Sequence, residues 1–300
     1  KYEDWTLVER RLLNSGSAGE PCYDVVLKPA KGRAYWEAGD LVEIGPAHAA
    51  EDVAAWLARN GYDGATPVPV GRARLRGVER KPLAELLARC RLPADAEVQG
   101  LDAEALAQSL QYLPHREYSI ASIPDDGAVH LLVRRMRGEG GYLGLGSGWL
   151  TTHAPIGATV ALRVRENANF HAPGDDRPLI LIGNGTGLAA LYALLKERIA
   201  NGMPRNWLLF GERNAAHDFH HGEEIAGWLA AGDLERLDCA WSRDQNERVY
   251  VQDKLREAGD TLRDWVAEGA AIYVCGSQDG LAPGVDAVLC EVLGAERAAQ

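Results

Sequence analysis

From residue 5 to residue 45, apolar and polar positions alternate in short runs: Thr6-Leu7-Val8-Glu9, Tyr23-Asp24-Val25-Val26-Leu27 and Asp40-Leu41-Val42-Glu43-Ile44. Turn residues such as Asn14-Ser15-Gly16-Ser17 separate them. A period of two between Gly- and Ser-rich turns predicts antiparallel strands of a barrel. The period changes over 49–60, where Val53, Trp56 and Leu57 fall on one helical face. Further helices are expected over 82–90, opened by Pro82, and over 102–112, opened by Asp102. Strand spacing returns at 118–121 and 129–133, and 158–164 is expected to close the barrel.

The pattern changes kind after Pro173-Gly174-Asp175-Asp176-Arg177-Pro178, the best linker in the chain. Apolar strands at 179–182, 207–210, 237–241 and 271–275 now alternate with helices at 188–199, 222–231, 251–257, 261–268 and 284–293. That order predicts a parallel sheet covered by helices on both faces. The fold class expected is therefore β + α/β: an antiparallel barrel domain over 1–172, with a short helical insert at about 49–112, then a parallel-sheet domain over 173–300.

Three hundred residues, 46% of them hydrophobic, suffice for two such domains. No apolar run reaches the roughly 18 residues a membrane helix needs, and no leader pattern opens the chain. A net charge of −11 argues against a nucleic-acid partner. Five dispersed cysteines, without a Cys-x-x-Cys, fit a reducing cytoplasm. His130 and the pair His220-His221 lack the ligand spacing of a metal site, and no metal is expected.

The chemistry concentrates in four places. Trp241 to Gln252 carries Ser242, Arg243, Arg248 and Tyr250 just after an apolar strand. Two guanidiniums, a hydroxyl and a phenol suit a phosphate monoester. Dinucleotide sites that take a 2′-phosphate set Arg near the ribose, so the segment reads as an NADP(H) selector. A solvated charged loop is the plainer alternative. Gly183-Asn184-Gly185-Thr186-Gly187 stands between a strand and a helix, where backbone N–H groups can approach a pyrophosphate. Gly144, Gly146 and Ser147 form a second glycine-rich turn of that sort, with a helix expected to start there. Arg116-x-Tyr118-Ser119 opens a strand, and Cys275-Gly276 ends one. A strand-end cysteine by itself is more often a buried core thiol.

In this order, the four motifs Arg116–Ser119, Gly183–Gly187, Trp241–Gln252 and Tyr273–Ser277 resemble the ferredoxin–NADP reductase superfamily. Within it they resemble the diflavin reductases, the group that includes sulfite reductase flavoproteins. The likeness is dense from about residue 100 to residue 293. It implies FAD on the barrel, with Arg116 on its pyrophosphate, Tyr118 against the isoalloxazine and Ser119 near N5. Gly144, Gly146 and Ser147 would serve the pyrophosphate, and Leu132, Val133 and Arg134 would lie on the strand that contacts FAD. It implies NADPH on Gly185, Thr186, Gly187, Ser242, Arg243, Arg248, Tyr250, Gln252, Cys275 and Gly276, with Cys275 and Ser119 aligning hydride transfer. Electrons would then pass to FMN in a flavodoxin-like partner domain outside this chain, or to another acceptor.

The chain departs from the family at several positions. Gly148 replaces a hydroxyl residue, Asn184 a Pro, Ala190 and Tyr192 a Pro and an Arg, and Ser277 an Asp. Cys275-Gly276-Ser277 and the short insert resemble the reductase module of membrane-tethered PepSY-type bacterial fusions. A ferric or ferric-siderophore reductase is therefore the first alternative, and a flavin-free nucleotide-binding regulatory module the second. The chain opens without Met and ends at Gln300 without the family's terminal aromatic. It is expected to be part of a longer protein that ends in an aromatic residue.

Overall fold

The computed structural model describes residues 2–70 and 79–299. Residues 71–78 of the expected insert lie outside them. The chain runs through β1 (Glu3–Leu12), β2 (Cys22–Pro29), β3 (Leu41–Gly45), α1 (Ala50–Asn60), β4 (Pro67–Pro69), β5 (Arg80–Pro82), α2 (Leu83–Ala88) and α3 (Ala103–Ser109). It returns through β6 (Arg116–Ser119), β7 (Val129–Arg134), the single turn α4 (Leu145–Gly148) and β8 (Thr159–Arg165).

Six of these strands pair antiparallel in the order β6-β3-β8-β1-β2-β7. Ile120, just past β6, bridges to Leu131 of β7. The Ala121 N–H also donates to the His130 carbonyl at 2.8 Å. The two end strands thus meet at this point, and the sheet curls into a barrel. Alternation decides what fills it. Trp5 and Leu7, Val25 and Leu27, and Leu131 and Val133 face the interior together.

The insert has its own small core around Trp56, Leu83, Leu87 and Leu106. Trp56 stacks on Tyr62 with ring centroids 5.8 Å apart. Asp102 caps α3 by accepting from the Ala105 N–H at 2.8 Å. This helix stops at Ser109, short of the expected 112. Tyr112 bridges to Cys90, and the Leu113 N–H donates to the Arg89 carbonyl at 2.9 Å. Strand pairing claims these residues before the helix can continue. The β4–β5 pair was not foreseen, because three-residue strands leave no readable period.

The second half runs β9 (Leu179–Asn184), α5 (Leu188–Ala200), β10 (Asn206–Glu212), α6 (Ala215–Asp218), α7 (Gly222–Ala231), β11 (Arg236–Trp241), α8 (Val251–Glu257), α9 (Gly259–Ala267), β12 (Ala271–Cys275), α10 (Leu281–Leu293) and α11 (Ala295–Ala298). Its four strands are parallel, ordered β11-β10-β9-β12. Leu179 and Leu181 pack with α5 on one face, while Ile180 and Ile182 pack with α8, α9 and α10 on the other. Burial on both faces explains why these strands read as continuous apolar runs. Helix α10 starts a turn before the expected 284. Pro283 sits in its first turn, where a missing N–H costs nothing.

The two halves share a core. Ala38, Ala121 and Leu132 of the barrel belong to the apolar cluster built on α5. Lys196 also pairs with Asp126 at 2.6 Å, and the Tyr273 hydroxyl donates to the His171 carbonyl at 2.7 Å. Among the described residues no helix is long and apolar enough to cross a membrane.

One buried cation organises the segment between the halves. Arg198 on α5 is 1% exposed. It donates to the Arg177 carbonyl at 2.8 Å and to Asn206 Oδ1 at 3.0 Å. The Arg198→Met variant keeps the volume and leaves these buried acceptors unpaired. We expect it to lower stability by ~2–4 kcal/mol, measured by urea denaturation. A loss under ~0.5 kcal/mol would mean that solvent replaces the guanidinium.

Candidate functional site

A cavity of about 890 Å³ lies where the barrel meets the C-terminal ends of the parallel strands. In parallel sheets that edge is where ligands bind. Tyr118, Ser119, Leu132 and Arg134 line it from the barrel. Gly185, Thr186 and Gly187 line it from the β9–α5 turn, and Ser242, Tyr250 and Gln252 from the loop between β11 and α8. Cys275 and Gly276 close it at the end of β12.

Glycine makes this convergence possible in two ways. Gly185 takes φ +55°, a conformation costly for other residues. Gly187 has ordinary dihedrals but lies against the Cys275 carbonyl, so a Cβ there would collide with backbone. The glycine therefore serves strand-to-turn packing as well as ligand approach. Asn184, in place of the family's Pro, rests its side chain on Gly276.

Cys275 pairs with Gly183 in the parallel register, which brings the end of β12 beside the β9–α5 turn. Burial pushes the thiol up, and the Ser119 hydroxyl beside it works the other way. The thiol is therefore neutral near pH 7 and suited to packing and orientation, not to nucleophilic attack. Burial also pushes the Tyr118 phenol up to about 12, with the Arg116 charge opposing. The ring presents a neutral face across the working pH range.

The remaining barrel residues gather behind Tyr118. A Cβ on Gly146 would stand 2.7 Å from the Tyr118 hydroxyl and 2.7 Å from Arg116 Cγ, so α4 lies directly on this pair. Arg116 is exposed, and among the described residues its guanidinium donates to the His115 and Pro114 carbonyls. The Ser147 hydroxyl accepts from the Met136 N–H at 3.0 Å, and the Gly144 N–H donates to the Met136 carbonyl at 2.8 Å. The turn at 145–148 is helical as expected, then widens into a π-turn over Trp149–His153.

Besides Arg116, Gly144, Gly146 and Ser147, three expected residues stand apart from the cavity wall. Val133 points into the barrel interior, because alternation along β7 turns only Leu132 and Arg134 outward. Arg243 and Arg248 are exposed on the adjoining loop. Neither side chain pairs with a described acidic residue, which leaves both guanidiniums uncommitted. The loop's start is nevertheless fixed. Ser242 N–H donates to the Glu212 carbonyl and Arg243 N–H to the Arg213 carbonyl, each at 2.9 Å. Asp244 accepts from the Ala215 N–H at 3.0 Å and from Asn214 Nδ2 at 2.8 Å.

Sequence reasoning missed Glu212 and Arg213, which line the cavity at the end of β10. Their place at a parallel strand's C-terminal end was the available signal. Of the histidines, His130 Nδ1 lies 3.0 Å from Asp24 Oδ1. Glu43, His115 and Glu117 bring their ligand atoms together, but Glu43 is already paired with Arg163 and Arg165.

His220 is 1% exposed, and neither ring nitrogen has a hydrogen-bond partner among the described residues. Burial, with help from the Arg134 charge, pushes its pKa down from 6.5 to about 4. An unfolded chain takes up this proton near pH 6.5, and the folded one only near 4. Stability from this group is thus present above pH 6.5 and lost as pH falls towards 4, by ~3 kcal/mol in all. The His220→Leu variant should flatten the stability–pH curve across that window. An unchanged curve in urea titrations at several pH values would show that His220 stays uncoupled from folding.

The oxidoreductase NAD-binding domain family matches residues 181–286. The chain is 39% identical over 234 residues to the "Sulfite reductase [NADPH] flavoprotein alpha-component" of Neisseria meningitidis serogroup C, covering 75% of this chain and 38% of that protein. It is 42% identical over 200 residues to the protein of the same name from Escherichia coli O157:H7, covering 64% and 33%. The Mannheimia succiniciproducens protein is 40% identical over 203 residues, covering 65% and 34%. The chain thus spans little more than a third of the length of these relatives.

Proposed function

Given that this chain belongs to the ferredoxin–NADP reductase superfamily, we propose that it is an NADPH-dependent flavoprotein reductase. Residues 1–172 would hold FAD and residues 173–300 NADPH. The observation that carries this reading is the single cavity that brings Ser119 of the barrel and Cys275 of the parallel sheet together. Bound FAD supplies the chemistry: it accepts a hydride and releases single electrons.

The residues fit both cofactors. Gly185, Thr186 and Gly187 open α5, and the positive end of a thirteen-residue helix favours a pyrophosphate. Arg243 and Arg248 are free to meet a 2′-phosphate, beside Ser242 and Tyr250. Arg116, at α4 and its glycine turn, offers a fixed charge to the flavin's pyrophosphate. Tyr118 and Leu132 give flat and apolar contact area. Cys275, neutral and partly buried beside Ser119, would orient the nicotinamide edge, so orientation and exclusion of water would be the protein's contribution.

The electron acceptor is an FMN-bearing flavodoxin-like domain. The named relatives are flavoproteins of NADPH–sulfite reductases, and most of their length lies beyond the part this chain matches. The short insert and Cys275-Gly276-Ser277 favour, as a second reading, the same module serving a ferric or ferric-siderophore acceptor in a membrane-tethered protein.

Heat release of bound flavin, followed by chromatography, should yield FAD. Mostly FMN, or no flavin uptake at all, would overturn the assignment, since the Arg116 and Gly146 turn would then serve no dinucleotide.

Replacing both Arg243 and Arg248 by Ala should weaken NADPH far more than NADH. Each charge-assisted hydrogen bond to the 2′-phosphate is worth ~1.5–3 kcal/mol, so kcat/KM for NADPH should fall at least about a hundredfold. Equal losses for the two nucleotides would remove this loop as the selector.

A further inference from the structure

At the bottom of the cavity, one ion pair joins the two halves of the molecule. Glu212 ends β10 and Arg134 ends β7. Their side chains are 8% and 21% exposed, and Arg134 Nη2 donates to Glu212 Oε1. The second carboxylate oxygen accepts from the Arg213 N–H at 2.7 Å. Arg134 Nη1 donates to the Glu20 carbonyl at 3.1 Å, which ties the β1–β2 turn into the same junction. Glu212 also stands beside the nucleotide turn: a Cβ on Gly185 would lie 3.4 Å from Glu212 Oε1.

The rest of the junction is mostly apolar, through Ala38, Ala121 and Leu132 against α5. Apolar contact gives adhesion but little register, because it is non-directional. A charge pair that is largely out of water gives direction, and is screened far less than an exposed one. Other polar ties, among them Lys196–Asp126, the Tyr273 hydroxyl to the His171 carbonyl, Asn14 Nδ2 to Asp218 Oδ1 and His217 Nδ1 to the Ser15 carbonyl, lie away from the cavity wall.

We propose that Glu212 is a positioning residue. Through Arg134 it latches the C-terminal edge of the parallel sheet onto the barrel, and so sets the spacing between Ser119 and Cys275. The proposal rests on the reductase reading above for its catalytic consequence, though not for the latch itself. It also gives Arg134 an employment within the protein, in place of a free charge for a cofactor.

The test uses the Glu212→Gln variant, which keeps an acceptor for the Arg213 N–H but loses the charge. In the flavin-free protein, alkylation of Cys275 by iodoacetamide, followed by peptide mass spectrometry, reports opening of the junction. We expect the rate to rise about tenfold, with the circular dichroism spectrum unchanged. Arg134→Gln should do the same, and Arg134→Lys should restore most of the protection. With FAD and NADPH added, Glu212→Gln should lower kcat about tenfold and leave the KM for NADPH within about twofold. An unchanged alkylation rate in both Gln variants overturns the latch. A KM that rises while kcat holds overturns the positioning role and makes Glu212 a nucleotide contact. If the unmodified protein shows no flavin bleaching by NADPH, the reductase reading fails, and the alkylation rates still decide the latch.

Discussion

The candidate site depends on one close backbone approach. Gly187, at the start of α5, meets the carbonyl of Cys275 with no room for a side chain between them. This packs the β9–α5 turn onto the end of β12, so the turn that would take a pyrophosphate and the thiol that would guide a nicotinamide are neighbours by construction. Gly183 reinforces it, since a Cβ there would stand 2.9 Å from the same carbonyl. A parallel register pairing Cys275 with Gly183 makes the approach possible, and glycine makes it tolerable.

The second constraint is the shared apolar core. Strand alternation on β7 sends Val133 into the barrel and Leu132 out to α5. Barrel and parallel sheet are thus two faces of one packing problem. Junctions of this kind resist separation more than polar, hydrated ones. That would suit the proposed hydride transfer, where small displacements of the reacting atoms are costly.

Charge is distributed against the overall balance. The chain carries −11, yet Arg134 and Arg213 line the cavity beside Glu117 and Glu212, and Arg243 and Arg248 stand exposed on the adjoining loop. The charges on the cavity wall balance, so attraction of an anionic ligand would fall to the two guanidiniums of the adjoining loop. Of the acidic groups nearby, Glu212 and Asp244 accept hydrogen bonds from backbone N–H groups, and Glu212 also from Arg134.

Much of this was written in the sequence. Alternation along 5–45 and the apolar runs at 179–182, 207–210 and 271–275 determined a barrel followed by a parallel sheet. Side-chain period is a local property that follows from which faces are buried. The motifs around Arg116, Gly185, Ser242 and Cys275 were legible for a similar reason, since each is a short stretch whose residue types suit a phosphate or a ring. What the sequence could not give were relations between distant strands. The α3 end at Ser109 was set by pairing between Cys90 and Tyr112, and the inward turn of Val133 by β7's place in the barrel. Glu212 meets Arg134 across 78 residues, and Ser119 meets Cys275 across the junction of two sheets. No local period encodes such meetings. They arise only when closure of the barrel and the parallel register bring strand ends together, and there the tertiary structure decided which residues share the cavity.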